Sequence, residues 1–288
     1  MSLFFIAFLF GTIVGSFINV VSYRLPIILD RNWIHESSSF LKSKGIDIKD
    51  APAYNRYETF NLLWPPSHCT HCKQNIKPWN NIPLVSYFML KKHCSNCKKE
   101  ISWRYPIVEL ISGCLTGLLA YNFELSLTSF LMMLFVWSLL TITIIDINHY
   151  LIPDELTLPL LWLGLFINAL GIGVEVSLHE AIIGAICGYS SLWLINWIFK
   201  IIRKKEGMGH GDFKLFAAVG AWLGWQSLAA SIIISSFIGA VSGVFMVTVL
   251  SRDKALPIPF GPYLAGAALI FVMWGTEINN FYLISVLG

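Results

Sequence analysis

Long apolar segments recur along the chain and are separated by shorter polar stretches. Most of the apolar runs are close to the length that a helix needs to cross a bilayer. The pattern therefore predicts eight membrane-spanning helices, at about 2–23, 107–123, 128–147, 156–173, 181–201, 213–225, 227–250 and 262–284. The sixth segment is short for a crossing, so a tilted, broken or merged helix is expected there.

One polar segment of substantial length interrupts this pattern, at residues 24–106. Its first part, about 30–58, has little periodicity and predicts short helix and loop. The chain is thus expected to divide into a first transmembrane helix (1–23), a cytosolic loop domain (24–106) and a helical membrane domain (107–288). The predicted fold class is an all-α polytopic membrane protein that is embedded in a lipid bilayer.

Composition and charge agree with this class. Of the 288 residues, 56% are hydrophobic and 13% are charged, whereas about a quarter of the residues of a soluble protein are charged. Thirteen of the 20 Lys and Arg residues lie between positions 24 and 104, and the others flank the fifth-to-sixth and seventh-to-eighth connections. Loops rich in these residues stay in the cytoplasm. The net charge of +3 is therefore interpreted as a topology signal, and nucleic-acid binding is not expected.

The polar segment contains two C-x-x-C pairs, formed by Cys69 with Cys72 and by Cys94 with Cys97. Pairs about twenty residues apart match the spacing of a zinc site with four thiolate ligands. A loop too small to build a large core gains stability from such a metal. A closed set of four ligands indicates structural zinc, since catalytic zinc keeps one position open. Redox dithiols are the alternative, which a reducing cytosol disfavours.

Two aspartates mark places where an apolar segment meets a polar loop. Asp146 ends the third predicted span, and Asp212 ends the glycine-rich stretch GMGHGD at 207–212. A carboxylate at a bilayer boundary is costly, so a functional role is the default interpretation. If the two carboxyl groups meet, they share a proton, and the pair activates water against a peptide carbonyl. The residues alone leave open a second possibility, in which two separate charges solvate two helix ends.

Other charged residues have local interpretations. Glu109, just inside the second predicted span, is expected either to pair with Arg104 or to bind a cationic ligand. Asp154 is expected to complement the N-terminus of the fourth predicted helix. Lys214 is expected to anchor the membrane topology by extending its amine to the interface.

Several motifs occur in an order that makes the chain recognisable. They lie at 15–26 (GSFINVVSYRLP), 61–69, 82–87, 101–109, 146–154, 207–215 and 259–263. With these motifs the chain resembles the type IV prepilin peptidases, which are bifunctional leader peptidases and N-methyltransferases. The resemblance covers nearly the whole chain.

The resemblance implies a membrane aspartic endopeptidase in which Asp146 and Asp212 are the catalytic residues. It implies that the short basic leader of prepilins and pseudopilins is cut after a glycine, at the cytoplasmic face of the bacterial inner membrane. The new N-terminal amine would then be methylated with S-adenosylmethionine. The corresponding loop of the family carries the zinc-binding cysteines, here Cys69, Cys72, Cys94 and Cys97. The resemblance does not locate the methyl-donor site; we expect it between the cytosolic loop and nearby helix ends, with Glu109 as one candidate residue.

The chain departs from the family at one point. It reads Lys91-Lys92-His93 just before the third cysteine, where many members have a glycine between basic residues. A peptidase that has lost methyl transfer is therefore one alternative. A proton-coupled transporter that uses the two aspartates as a relay is another, although both carboxylates are predicted at one membrane face. A G-x-G-x-x-G motif after a strand is absent from the sequence, so a Rossmann-type cofactor site is not expected.

Overall fold

The computed structural model describes residues 2–46, 60–123, 126–172, 176–205, 207–249 and 258–287. Within these ranges the structure is built from helices and contains no strand longer than an isolated bridge, so the predicted all-α class is confirmed. The helices are α1 (Ser2–Ser43), α2 (Val85–Met89), α3 (Arg104–Asn122), α4 (Leu127–His149), α5 (Asp154–Ala169), α6 (Leu178–Arg203), α7 (His210–Leu223), α8 (Gln226–Thr248) and α9 (Gly261–Leu287). A 3-10 turn lies at Pro78–Asn81.

Each predicted span overlaps one of these helices, but the helices differ in their ability to cross a bilayer. Four of them, α1, α4, α6 and α8, are long and apolar enough to do so. In α9, Gly261–Gly275 forms a shorter apolar helix. The chain is therefore a helical membrane protein, and the count of eight spans stays a prediction.

The first predicted span, about 2–23, lies inside a longer helix, because α1 continues to Ser43; the end of its membrane-spanning part near residue 23 stays a prediction. Short helix and loop were predicted from about residue 30, and 30–43 is instead continuous helix; residues 47–59 lie outside the described ranges. The buried positions Ile18, Ser22, Leu25 and Leu29 continue one helical face past the last long apolar run. Hydropathy falls after this point, whereas the buried face continues as far as Leu29; the helical residues from 30 to 43 include no buried position.

Local sequence sets the ends of the other long helices. Ser126 caps α4 by accepting a hydrogen bond from the Ser129 N–H, and Ser177 caps α6 in a reciprocal arrangement with Glu180. Side-chain oxygens at these positions satisfy N–H groups that have no partner inside the helix. The α4 helix ends at Tyr150, whose φ of 52° turns the backbone out of the helix.

The chain forms two compact units, Met1–Gly117 and Leu118–Gly288. In the first unit, glycines of α1 allow the beginning of α3 to approach closely. A Cβ atom at Gly15 would lie 2.7 Å from the Cα atom of Glu109, and one at Gly11 would lie 2.8 Å from the Ser112 carbonyl oxygen. Ser112 in turn donates a hydrogen bond of 2.7 Å to the carbonyl of Gly11.

In the second unit α7 is the buried centre. It packs against α5, α6, α8 and α9, and every residue from Leu215 to Leu223 is buried. A helix surrounded by other helices needs no lipid-facing length, which accounts for the shortness of the sixth predicted span. Gly184 of α6 and Gly220 of α7 bring the two backbones together, since a Cβ atom on either would overlap the carbonyl of the other. The Trp222 indole donates a 2.8 Å hydrogen bond to the Leu160 carbonyl.

Candidate active site and metal centre

Asp146 lies in the last turn of α4 and is held by the beginning of α9. Its side chain is 5% exposed, and its Oδ2 atom accepts a 3.0 Å hydrogen bond from the Gly261 N–H. This N–H belongs to the first turn of α9, where amide groups lack partners inside the helix and favour negative charge. A Cβ atom at position 261 would lie 2.7 Å from the same Oδ2 atom, so the contact requires glycine.

Asp212 lies in the first turn of α7 and is 7% exposed. Its carboxylate accepts a hydrogen bond from the Gly209 backbone. Among the residues that the structure describes, its Oδ1 atom has no hydrogen-bond partner. One oxygen of a buried carboxylate is therefore available to a substrate or to water.

The second unit brings these two predicted residues into one site. The Asp146 carboxylate is close enough to act electrostatically on Asp212. Ile152 packs between the beginnings of α7 and α9. A Cβ atom added at Gly211 would lie 2.7 Å from the Ile152 Cβ atom, and a Cβ atom added at Gly261 would lie 3.0 Å from the Ile152 Cδ1 atom. Glycine at both positions thus lets α7 and α9 begin beside the end of α4. Two carboxylates that share a poorly solvated site do not both ionise readily, so they can hold one proton between them.

Next to this site, Lys214 of α7 forms an ion pair with Asp154 of α5. The Lys214 Nζ atom lies 2.7 Å from both carboxylate oxygens of Asp154. Separate roles were predicted for the two residues and the ion pair was not, because no local sequence pattern connects positions that lie 60 residues apart. Asp154 does occupy the first turn of α5, as predicted.

The four paired cysteines converge in the first unit. The sulfur atoms of Cys69, Cys72, Cys94 and Cys97 all lie within 4.8 Å of one another, and those of Cys69 and Cys97 are 3.9 Å apart. Tetrahedral zinc with Zn–S bonds of about 2.3 Å separates its sulfur ligands by about 3.8 Å. The cluster therefore has the composition and the dimensions of a four-thiolate zinc site.

Both cysteine pairs are carried by the same turn. In the first, the Cys69 carbonyl accepts from the Lys73 N–H at 2.9 Å; in the second, the Cys94 carbonyl accepts from the Lys98 N–H at 3.1 Å. Lys73 and Lys98 have φ angles of 58° and 57°, so the turns match in backbone conformation as well. This duplication was visible in the sequence as C-x-x-C-K at both places.

At two of the four cysteines, Cys72 and Cys94, the turns also favour the thiolate form that binds metal. A backbone hydrogen bond from Gln74 and a side-chain hydrogen bond from Asn96 lower the pKa of Cys72 to about 6. Backbone hydrogen bonds from Cys97 and Asn96 lower the pKa of Cys94. Donors aimed at sulfur stabilise negative charge there, as metal ligation requires.

Glu109 is 9% exposed, and it lines a cavity of about 320 Å³ in the first unit. Its Oε2 atom accepts a 2.8 Å hydrogen bond from the Leu84 N–H. Leu84 has a φ of 59°, a left-handed conformation that is uncommon for leucine and that this hydrogen bond helps to hold. The predicted partners of Glu109 were Arg104 or a cationic ligand, and this contact with the Leu84 backbone was not predicted.

The departure at Lys92 preserves the backbone conformation that glycine favours. Its φ of 66° lies in the left-handed region, which glycine enters without steric cost. The Lys92 amine lies 4.2 Å from the centre of the Trp103 ring. The Lys92 side chain is not part of the cavity wall.

Comparison with known proteins gives consistent matches along the chain. Residues 9–123 match the bacterial peptidase A24 N-terminal domain, and residues 133–244 match the type IV leader peptidase family. The chain is 47% identical to a prepilin leader peptidase/N-methyltransferase of Stutzerimonas stutzeri, over 96% of this chain and 92% of that protein. It is 47% identical to one from Pseudomonas aeruginosa, over 96% and 91%, and 39% identical to one from Legionella pneumophila, over 96% and 92%. No solved structure gave a significant match.

Proposed function

Since the chain belongs to the type IV leader peptidase family, we propose that it removes the leader of prepilins and pseudopilins and then methylates the new N-terminal amine. The observation that supports the peptidase half is the placement of two buried carboxylates at neighbouring helix ends, close enough for the charge of Asp146 to act on Asp212. The relatives are named for both activities, as prepilin leader peptidase/N-methyltransferase.

Asp146 and Asp212 are the proposed catalytic residues. The Gly261 N–H stabilises negative charge on Asp146, so this carboxylate takes a proton from water as the water oxygen attacks the scissile carbonyl carbon. Asp212 holds the shared proton and donates it to the carbonyl oxygen. The C–N bond of the tetrahedral intermediate then breaks, the amine leaves with the proton from Asp146, and Asp212 recovers its proton as the carbonyl forms again.

The proposed location follows from the positions of charge. Asp146 ends α4 and Asp212 begins α7, while basic residues flank the same connections. By the positive-inside rule these helix ends face the cytoplasm of a bacterial cell. A substrate with a basic leader and an apolar helix would lie with its helix in the inner membrane and its cleavage point beside the aspartates.

The methyltransferase half is assigned to the first unit, with S-adenosylmethionine as the methyl donor and a structural zinc ion. Cys69, Cys72, Cys94 and Cys97 would hold the zinc. Four thiolates leave the ion no open position, so it would stabilise the two turns and take no direct part in the reaction. The α2 helix and the 3-10 turn nearby have five and four residues, which is too little structure for a stable core of its own.

The peptidase assignment is tested by purified full-length protein acting on a prepilin, with the N-terminus of the product identified by mass spectrometry. Asp146→Asn and Asp212→Asn should each lower the cleavage rate by about a thousandfold, because an amide cannot exchange the shared proton. Asp154→Asn is the matched control: it is a nearby aspartate in an exposed ion pair, whose loss costs less than about 1 kcal/mol. The proposal is refuted if either Asp146→Asn or Asp212→Asn cleaves prepilin near the wild-type rate.

A further inference from the structure

The cavity in the first unit is lined by three parts of the chain. The α1 helix contributes Ser16 and Asn19, the beginning of α3 contributes Tyr105 and Glu109, and the cysteine turns contribute residues that include Cys69. Its volume of about 320 Å³ falls at the lower end of the range for small-molecule sites. A nucleoside-sized ligand fits such a volume, whereas an extended peptide requires a longer groove.

One wall residue lacks a partner for a buried acceptor. Asn19 is 5% exposed, and its Nδ2 atom donates a 3.1 Å hydrogen bond to the Tyr105 carbonyl. Its Oδ1 atom has no hydrogen-bond partner within the described ranges. Buried polar atoms in folded proteins are nearly always paired, so an unpaired acceptor on a cavity wall indicates a donor supplied by a ligand.

The wall carries two basic residues, Arg24 and Lys99, and two acidic residues, Glu100 and Glu109, so an attraction for a cation is local to Glu109. Arg24 lies on the same wall, but its guanidinium donates to the backbone carbonyls of Asn61, Leu62 and Pro65 at 3.0, 3.3 and 2.6 Å. It is thereby engaged in holding the chain at 61–65. Lys99 and Glu100 also line the cavity, and their opposite charges offset each other.

Aromatic rings add to this preference. Tyr23, Tyr87 and Tyr105 line the cavity together with Glu109. The faces of aromatic rings attract cations, and a carboxylate beside them attracts a cation more strongly. A sulfonium group is a cation that makes no hydrogen bonds of its own, so it suits a wall of rings and carboxylate.

We propose that this cavity binds S-adenosylmethionine, with the Glu109 carboxylate facing the sulfonium group and the Asn19 oxygen accepting a hydrogen bond from an amino group of the donor. This assignment rests on the proposed methyltransferase activity and gives that activity a site. It also places Cys69 and Cys94 in the wall of the donor site, so the turns that hold the metal shape the cavity.

The role of Glu109 is tested by calorimetric titration of the purified full-length protein with two ligands. S-adenosylmethionine carries the sulfonium charge, whereas S-adenosylhomocysteine has a neutral thioether in its place. Glu109→Gln keeps an acceptor for the Leu84 N–H but removes the negative charge. We expect about tenfold weaker binding of S-adenosylmethionine and less than about twofold change for S-adenosylhomocysteine. Equal changes for the two ligands, or none, would overturn the assignment of Glu109.

The role of Asn19 is tested with a closely matched control. Asn168 is also 5% exposed, donates to a backbone carbonyl, that of Ala221 at 2.8 Å, and has an Oδ1 atom unpaired among the described residues, but it belongs to the second unit and is not among the residues that line the cavity. Asn19→Ala should weaken both ligands by about tenfold, and Asn168→Ala should weaken neither. Equal losses in both variants, or unchanged binding by Asn19→Ala, would overturn the site.

Two further measurements separate this inference from the proposed function. Prepilin cleavage, which depends on the second unit, should stay at the wild-type rate in Asn19→Ala and Glu109→Gln, and an unchanged metal content verifies that the first unit of both variants folds. If the wild-type protein methylates cut pilin while both variants bind the donor normally, the site is wrong and the function stands. If the wild-type protein cuts prepilin but neither binds the donor nor methylates, the site and the methyl-transfer half of the proposed function both fail. If Glu109→Gln instead raises only the KM for cut pilin, the cavity binds the acceptor amine and the inference is overturned.

Discussion

The second unit buries its two aspartates by packing whole helices around α7, whereas the first unit builds its metal cluster and much of its cavity wall from short turns. The difference appears in the backbone. The described ranges contain seven non-glycine residues with positive φ, and five of them lie in the short stretch 73–98 of the first unit: Lys73, Leu84, Lys91, Lys92 and Lys98. Such conformations are costly for residues with a side chain, so they persist only where other contacts hold them.

The comparison indicates that the two halves of the proposed function depend on different forces. Apolar packing around α7 maintains the aspartate site, as in the stack of Phe135 on Trp222 with ring centres 4.8 Å apart. In the first unit, the cavity is maintained by the cysteine cluster and by single hydrogen bonds, such as that from the Leu84 N–H to Glu109. Metal loss should therefore impair the first unit and spare the second.

The largest effect on methyl transfer is expected from Cys69→Ala combined with Cys94→Ala. Without its ligands the metal no longer joins the two turns, so methyl transfer should fall by about a hundredfold or more. Prepilin cleavage should change by less than about threefold, since that site depends on helix packing. Mass spectrometry of the processed pilin reports both quantities, and metal analysis reports the loss of zinc. Cys187→Ala, which changes an exposed cysteine of α6, is the control. Equal loss of both activities in the double variant would contradict the separation.

A smaller effect, on cleavage and not on methyl transfer, is expected from Gly261→Ala. The added Cβ atom would lie 2.7 Å from the Asp146 Oδ2 atom and would displace the carboxylate from its N–H donor. A displacement of about 1 Å at a catalytic group lowers the reaction rate by about a hundredfold, so prepilin cleavage should slow by about this factor. Methylation of a pilin that has already been cut should be unchanged. Gly266→Ala in the same helix is the control, because no atom lies within 4 Å of its added Cβ. If the two alanine variants cleave prepilin equally well, the contact between Gly261 and Asp146 has no role in catalysis.

The smallest effect is expected from Lys92→Gly. Glycine relieves the left-handed conformation of position 92, but the contact of the lysine amine with the Trp103 ring is lost. The two changes oppose each other, so the free energy of unfolding should change by less than about 1 kcal/mol, and methyl transfer should be unaltered. Lys92→Ala removes the amine without relieving the backbone and should therefore be the less stable variant in thermal unfolding. A large gain of methyl transfer in Lys92→Gly alone would mean that the lysine obstructs the reaction.

Features that depend on local sequence were predictable. The cysteine pairs and the glycine-rich approach to Asp212 are short motifs for which the sequence left two interpretations each. The structure brings the four thiols together and places the two carboxylates close enough to interact electrostatically. The all-helical class followed from apolar runs that are too long for strands.

Features that depend on contacts between distant residues were not predictable. Nothing near Gly261 indicates that its N–H meets Asp146, which lies 115 positions earlier. The ion pair of Lys214 with Asp154 was missed for the same reason. The length of α1 was missed because hydropathy was used to end the helix, although buried Leu25 and Leu29 continue its periodicity.

The central claim is that cleavage belongs to the aspartates of the second unit and methyl transfer to the first unit. Its most direct test is one mass spectrum of a prepilin incubated with a mixture of two defective proteins, Asp212→Asn and the Cys69→Ala, Cys94→Ala double variant. The double variant should cut the substrate and the aspartate variant should methylate the product, so the account predicts pilin that is both cut and methylated. Pilin that stays uncut, or that is cut and carries no methyl group, would contradict it.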